Sequence, residues 1–202
     1  MNSDPERFRR AIERFDAANA QDPNQKELLY AQRMTHWLDR LDPNASEALR
    51  LAARCQHICR WQIPRSSFPM DRIGYLKWRK TLYQFHADKA GQILREVGYD
   101  DATIARVQSL LRKEKLKLDP EMQTLEDVIC LVFLEHYFAE FVQEHAHDEP
   151  KILNIIRKTW AKMSPRGHEA AMSIKLPQSA MRLISQALSQ PPQTESESAE
   201  PA

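Results

Sequence analysis

Residues Leu125 to Phe141 read LEDVICLVFLEHYFAEF. Apolar side chains fill nearly every position. A helix that is apolar on most sides is buried on most sides, so this segment is expected to be the central helix of a helical core. Asp119 and Pro120 supply a start for it, and Thr124 with Asp127 a second one, with Glu126 and Asp127 as charges of the opening turn. Glu135 then falls in the middle of the apolar run. A carboxylate there must be paired, hydrogen-bonded or protonated, because burying a lone charge costs several kcal/mol.

The flanking segments repeat the helical pattern. Upstream, Asp4 to Asn19 carries Phe8, Ile12 and Phe15, with Ser3 and Glu6 at capping-box spacing and Pro5 in the first turn. Gln25 to Leu41 has an apolar stripe of Leu28, Ala31, Met34, Leu38 and Leu41. A third helix begins near Ser46 and carries its apolar face through Ala52 and Ala53 to Gln56 or His57. Residues Gln62 to Met70 have two prolines and no helical period, which predicts a loop. Asp71 caps a long aromatic-rich helix through Glu96, stopped by Gly98. Asp100 or Asp101 starts a fifth helix that ends in the basic run Arg112, Lys113, Lys115 and Lys117. Downstream of the central segment, Asp148 with Pro150, Ser164 with Pro165, and Leu176 with Pro177 each open another helix. The spacing predicts an all-α fold, a single domain of about eight or nine helices over residues 1–189, and a Pro-, Ser- and Glu-rich disordered tail from 190 to 202.

Composition agrees. Four glycines in 202 residues are too few for a strand-rich or phosphate-loop fold. The net charge is +1, which gives no global field for nucleic acid or an acidic surface, so any anion site must be a local patch. No apolar run approaches the ~18 residues of a membrane span, and no membrane partner is expected. Cys55, Cys59 and Cys130 form no CxxC pair, and are read as reduced core thiols of a cytoplasmic protein.

The chemistry-bearing stretch is Leu51 to Arg65, LAARCQHICRWQIPR. His57 can hold a proton, a metal or a phosphate oxygen, and Arg60 and Arg65 can fork onto phosphate or carboxylate. His86 follows Phe85 on the aromatic helix, with Arg79 two turns earlier on the same face. Each histidine also reads as an ordinary core or half-exposed side chain. Glu135 reads either as part of a site or as a structural ion pair to an arginine such as Arg33. Arg112 to Lys117 is either a solvated helix end or a phosphate clamp containing Lys113 and Lys117. The HxH of His145 and His147 is a weak metal signal. Two fragments, Gln56–Cys59 and Lys162–Ser164, faintly resemble motifs of class I aminoacyl-tRNA synthetases, but neither is complete and the parallel sheet those enzymes need is missing.

Five segments taken together resemble an uncharacterised helical family of bacteria and fungi, known as a domain of unknown function, some of whose members carry a glutamyl-tRNA synthetase label. They are ELLYAQRMTHWLDRL, AARCQHICRWQIPRS, YLKWRKTLYQFHADKAGQIL, GYDDATIARVQSLLRKEKLK and QTLEDVICLVFLEHYF. The resemblance implies a shared fold rather than an activity. More remotely, the layout is similar to the HD superfamily of metal-dependent phosphohydrolases. It would put His57 at the histidine of the His-Asp pair, Tyr30 near the first histidine, Glu135 near the last aspartate and His86 at an auxiliary histidine. Ile58 then stands where the paired aspartate should be, which weakens any divalent-metal site built on oxygen ligands.

Two functions are therefore expected of the chain. One is a cationic pocket for a phosphorylated small molecule or nucleotide, with Arg60, Arg65, Arg79, Lys113 and Lys117 on phosphate, His57 or His86 as general acid or base, and Glu135 as orienting or activating group. If catalytic, it would be a phosphohydrolase. The other is a degenerate HD-like domain that binds a ligand or partner without turning it over.

Overall fold

Helix starts in this chain are set by short acidic or hydroxyl side chains, and most lie where the capping pattern puts them. The computed structural model describes residues 4–114 and 118–189; Ser3, Lys117 and the tail from 190 lie outside the described residues. It holds ten α-helices, and no strand occurs among the described residues. By contacts the chain divides into two compact units, Met1–Leu125 and Glu126–Ala202.

In the first unit, α1 (Pro5–Asn19) is capped by Asp4, whose carboxylate accepts from the backbone N–H groups of Glu6 and Arg7. The start of α2 (Lys26–Leu41) is less ordinary. Gln25 in front of it is left-handed, with φ 54°, and gives no side-chain cap. Asp22 does that work from further back, accepting from the N–H groups of Asn24, Lys26 and Glu27 at 3.0, 2.8 and 3.2 Å. Burial opposes its ionisation, but these three donors hold it below the usual carboxylate range. Ser46 caps α3 (Glu47–Arg54), Asp71 caps α4 (Arg72–Val97) and Asp100 caps α5 (Asp101–Leu111). Gly98 ends α4 at φ 93°, a conformation glycine adopts without a Cβ penalty.

α4 packs along α5 and α1, and α3 sits against α2, α5 and α1. Trp37, Phe15, Met34, Leu38, Leu49, Leu51 and Ile58 fill the space between them at under 2% exposure. Arg54 fastens the three N-terminal helices. Its guanidinium grips both oxygens of Asp16 on α1 at 2.6 and 2.7 Å and donates to Thr35 Oγ1 on α2.

The central apolar segment forms α6 (Pro120–His136), which stops at Tyr137 instead of continuing to Phe141; α7 (Phe138–Glu144) follows. Glu126 and Asp127 are not charges of an opening turn. They lie two turns into α6 at 2% exposure each. In the second unit Asp127 accepts from the backbone N–H and Oγ of Ser164, the cap of α9 (Pro165–Met172), while Glu126 faces Lys162 at 3.9 Å. α8 (Glu149–Trp160) packs on α10 (Gln178–Ser189). No helix among the described residues is long and apolar enough to cross a membrane.

Candidate functional site

The helical pattern carries α3 to His57, but the helix ends at Arg54. Beyond it the backbone winds through turns, reaches the left-handed region at Cys59 (φ 53°) and enters a 3-10 turn, Arg60–Gln62. One peptide group explains the departure. The carbonyl of Ile58 accepts from His86 Nδ1 on α4 at 2.9 Å, and the N–H of the next residue, Cys59, donates to Asn19 Oδ1 at the end of α1 at 3.0 Å. The Ile58–Cys59 peptide is thus clamped on both sides by buried side chains. These bonds take the place of the helical ones a longer α3 would have made.

The clamp aims the side chains on either side of it. Ile58 points into the core at 0% exposure. His57 turns the other way and stacks on Tyr30 of α2, ring centroids 4.0 Å apart, with the His86 ring 5.9 Å away. Tyr30 is fixed by its hydroxyl, which donates to Gln56 Oε1 at 2.9 Å. Arg60 returns to the same ring and donates from Nη1 to His57 Nε2 at 3.1 Å, while its guanidinium covers Trp78 at 4.7 Å. Trp78 in turn donates to Ile63 O, tying the 62–71 loop to α4. Arg79, one turn before Tyr83 and two before His86, is held by the hydroxyls of Tyr75 and Tyr83. Lys113, just after α5, has its ammonium nitrogen over the Tyr83 ring, 5.6 Å from its centroid.

Hydrogen bonding settles the ring states. A guanidinium can only donate, so His57 Nε2 must be the acceptor. Burial first, and then Arg60, His86, Lys113 and Arg79, hold His57 well below its ordinary range, so it is neutral with its proton on Nδ1. That proton faces Glu27 Oε2 at 3.6 Å. The contact is not an ion pair at neutral pH. Burial raises Glu27 to about 7, against the attraction of Arg60. His86 donates from Nδ1 to a carbonyl, so its Nε2 carries a lone pair; that atom is buried and has no hydrogen-bond partner among the described residues. Burial lowers His86 to about 4, despite the bond to Ile58 O.

His57, His86, Arg60, Arg79 and Lys113 therefore share one neighbourhood. Arg65 stands beside it, 5.9 Å from the Tyr75 ring, but donates to the carbonyls of Phe68 and Asp71 and so staples the loop. Glu135 belongs to the second unit, where it pairs with His136 at 3.0 Å. Lys117 is outside the described residues. Glu27, Gln56 and Asn19 were not singled out by sequence. Glu27 lies on the same turn of α2 as Tyr30, and that spacing was the available signal. Among the described residues no three His, Cys, Asp or Glu side chains converge as a metal-binding set.

A search of the curated proteins and a search of the solved structures each found no match. Residues 9–184 match a domain of unknown function, DUF4202, and the chain belongs to that family.

Proposed function

We propose that the surface formed by Arg60, Arg79 and Lys113 around His57 binds the phosphate of a small molecule or nucleotide. One observation carries this reading. Three cations act together on a half-buried neutral imidazole, and among the described residues no carboxylate lies within salt-bridge distance of Arg60 or Arg79. The acid nearest His57, Glu27, is about half protonated at neutral pH. The charge of Arg60 and Arg79, met here by a half-protonated Glu27 and by tyrosine hydroxyls, is further stabilised by an anion, and a phosphate accepts the forked donors of arginine. Tyr75, Trp78 and Tyr83 around the same cations suit a ligand with an aromatic part.

The catalytic form of the proposal uses His57. A phosphate oxygen that takes over the Arg60 hydrogen bond frees His57 Nε2. The incoming negative charge also raises the affinity of His57 for a proton. His57 would then donate its proton to the leaving oxygen of a phosphoester as water adds to phosphorus and the P–O ester bond breaks. His86 holds the turn beneath it, and Arg65 keeps the loop at the rim in place. The binding-only form is favoured by Ile58, whose side chain is in the core where the HD resemblance would put an aspartate. The free, buried thiols fit a cytoplasmic setting.

A thermal-shift screen of phosphate-bearing compounds, run beside a phosphatase and nucleotidase panel with and without Mn²⁺ or Mg²⁺, tests both forms. Stabilisation that is lost in Arg79→Ala supports the site; turnover adds the catalytic form, and a shift without turnover leaves the binder. A wild-type protein that responds to no phosphate compound overturns the proposal.

A further inference from the structure

The start of α4 carries an apolar ridge that the phosphate reading does not use. Met70, Ile73 and Leu76 are 77, 78 and 57% exposed. Ile73 and Leu76 are neighbours at i, i+3. One turn further on, at i+4 from each, stand Lys77 and Lys80, both exposed, and Arg72 flanks the other side. Among residues 70–80 the cations outside the phosphate surface are Arg72, Lys77 and Lys80, and the single acid, Asp71, is the helix cap. In a protein of net charge +1 this is a local concentration of positive charge. The ridge is also firmly built. Gly74 lets the Pro69 carbonyl approach so closely that an added Cβ would lie 2.1 Å from its oxygen, and Arg65 fastens the same loop at Phe68 and Asp71.

We propose that this ridge is a peripheral contact with an anionic lipid surface. Apolar side chains standing clear of their neighbours need a partner that can receive them. A second copy of the chain would bring Arg72, Lys77 and Lys80 against their own counterparts, and like charges would oppose it. A protein partner would need an acidic groove shaped to the ridge. A bilayer needs no preformed shape: Met70, Ile73 and Leu76 enter the headgroup–acyl boundary, and the lysines lie along it with their ammonium groups at anionic headgroups. This is contact at an interface, distinct from spanning. It is independent of the phosphate site, although it would bring that site close to a membrane.

The test is co-sedimentation of the full chain with vesicles of phosphatidylcholine alone and of equal parts phosphatidylcholine and phosphatidylserine. The wild type should pellet with the anionic vesicles, remain in solution with the neutral ones and be released by high salt. Lys77→Glu/Lys80→Glu should weaken partition more than tenfold, since each basic residue near such a surface is worth about fivefold. Ile73→Glu/Leu76→Glu should lower it at least tenfold with unchanged circular dichroism, because both side chains are already exposed. Wild-type protein that does not pellet, or that pellets equally with neutral vesicles, overturns the proposal; the first result is also what an acidic protein partner would give. If Arg79→Ala abolishes pelleting while Ile73→Glu/Leu76→Glu does not, the lipid phosphate is a ligand of the other site and the ridge has no part in it.

Discussion

Replacing Glu27 by Gln should stabilise the protein above neutral pH and change it little in acid. In the unfolded chain this carboxyl titrates near 4.5, and in the folded protein burial lifts it to about 7. Between those values the folded state holds more protons than the unfolded state. Stability therefore falls as pH rises through that window, and the whole penalty is present once Glu27 is ionised in both states. The interval corresponds to roughly 3 kcal/mol. Glu27 is 13% exposed, so solvent does not screen the penalty away. It also lies in the first turn of α2, where its charge gains about 0.5 kcal/mol from the helix dipole. The net gain for Glu27→Gln is then about 2–3 kcal/mol in alkali, or roughly 5–10 °C in Tm. Urea denaturation followed by circular dichroism at about pH 5 and about pH 8 measures it, as the difference between variant and wild type at each pH. A variant equally displaced at both, or less stable at the higher pH, refutes the reasoning. It would mean that the attraction of Arg60 outweighs burial and that Glu27 is already a carboxylate. The cations around His57 would then have a built-in counter-ion, and the case for an external phosphate would lose its main support.

Substitutions at three further positions separate structure from function at the same place. Lys113 sits at φ 57°, a strained backbone for a lysine, so Lys113→Gly should keep or raise stability by up to about 1 kcal/mol while reducing the thermal shift produced by phosphate compounds; a lower Tm with an intact shift contradicts it. Ile58→Asp, which would complete the HD pair in sequence, should instead cost at least about 4 kcal/mol, because it removes a core side chain and buries a charge; stable, metal-binding protein would show that position 58 can face a site. His86→Ala should cost about 2–4 kcal/mol and abolish the ligand response, whereas His86→Asn, whose amide can donate to Ile58 O, should recover much of both. If neither variant retains a response although His86→Asn is folded, the imidazole itself takes part in ligand binding.

The helices were legible because their ends carry their own signals. Ser46, Asp71, Asp100, Asp148 and Ser164 are all caps in the structure, and Gly98 is a left-handed stop, whereas α1 is capped by Asp4 and the capping-box spacing points to Ser3. The start of α2 is legible to within one residue, Gln25 against Lys26, although its cap, acting from Asp22 four residues ahead of the helix, is not. The break at Tyr137 had no marker, as no glycine or proline interrupts that apolar run. Partners were harder still. Asp127 looks like a helix-start charge because residue type and position suit that role, but its bonds to Ser164 span 37 residues of sequence. Glu135 is compatible with a site by composition, and its described partner is the adjacent His136.

The turn from Cys55 to Ile63 shows why a candidate site can be half visible in a sequence. An apolar period ran through it because Ile58 and Cys59 are buried, and burial gives the same hydrophobic signature whether the backbone is helical or not. What changes the backbone is a pair of polar side chains, Asn19 and His86, that are 40 and 28 residues away from the groups they hold. Had α3 continued, the Ile58 carbonyl and the Cys59 N–H would have been taken by helical bonds and not by His86 and Asn19. The clamped peptide instead folds the chain back, so that Arg60 reaches the His57 ring and both come under the field of Arg79 and Lys113. Both side chains are buried and only partly satisfied, since Asn19 Nδ2 and His86 Nε2 have no hydrogen-bond partner among the described residues, so holding this turn carries a cost. Here the Cys59 N–H and Ile58 carbonyl bonds set the geometry of a cationic surface, which ties the stability of this turn to the proposed phosphate site.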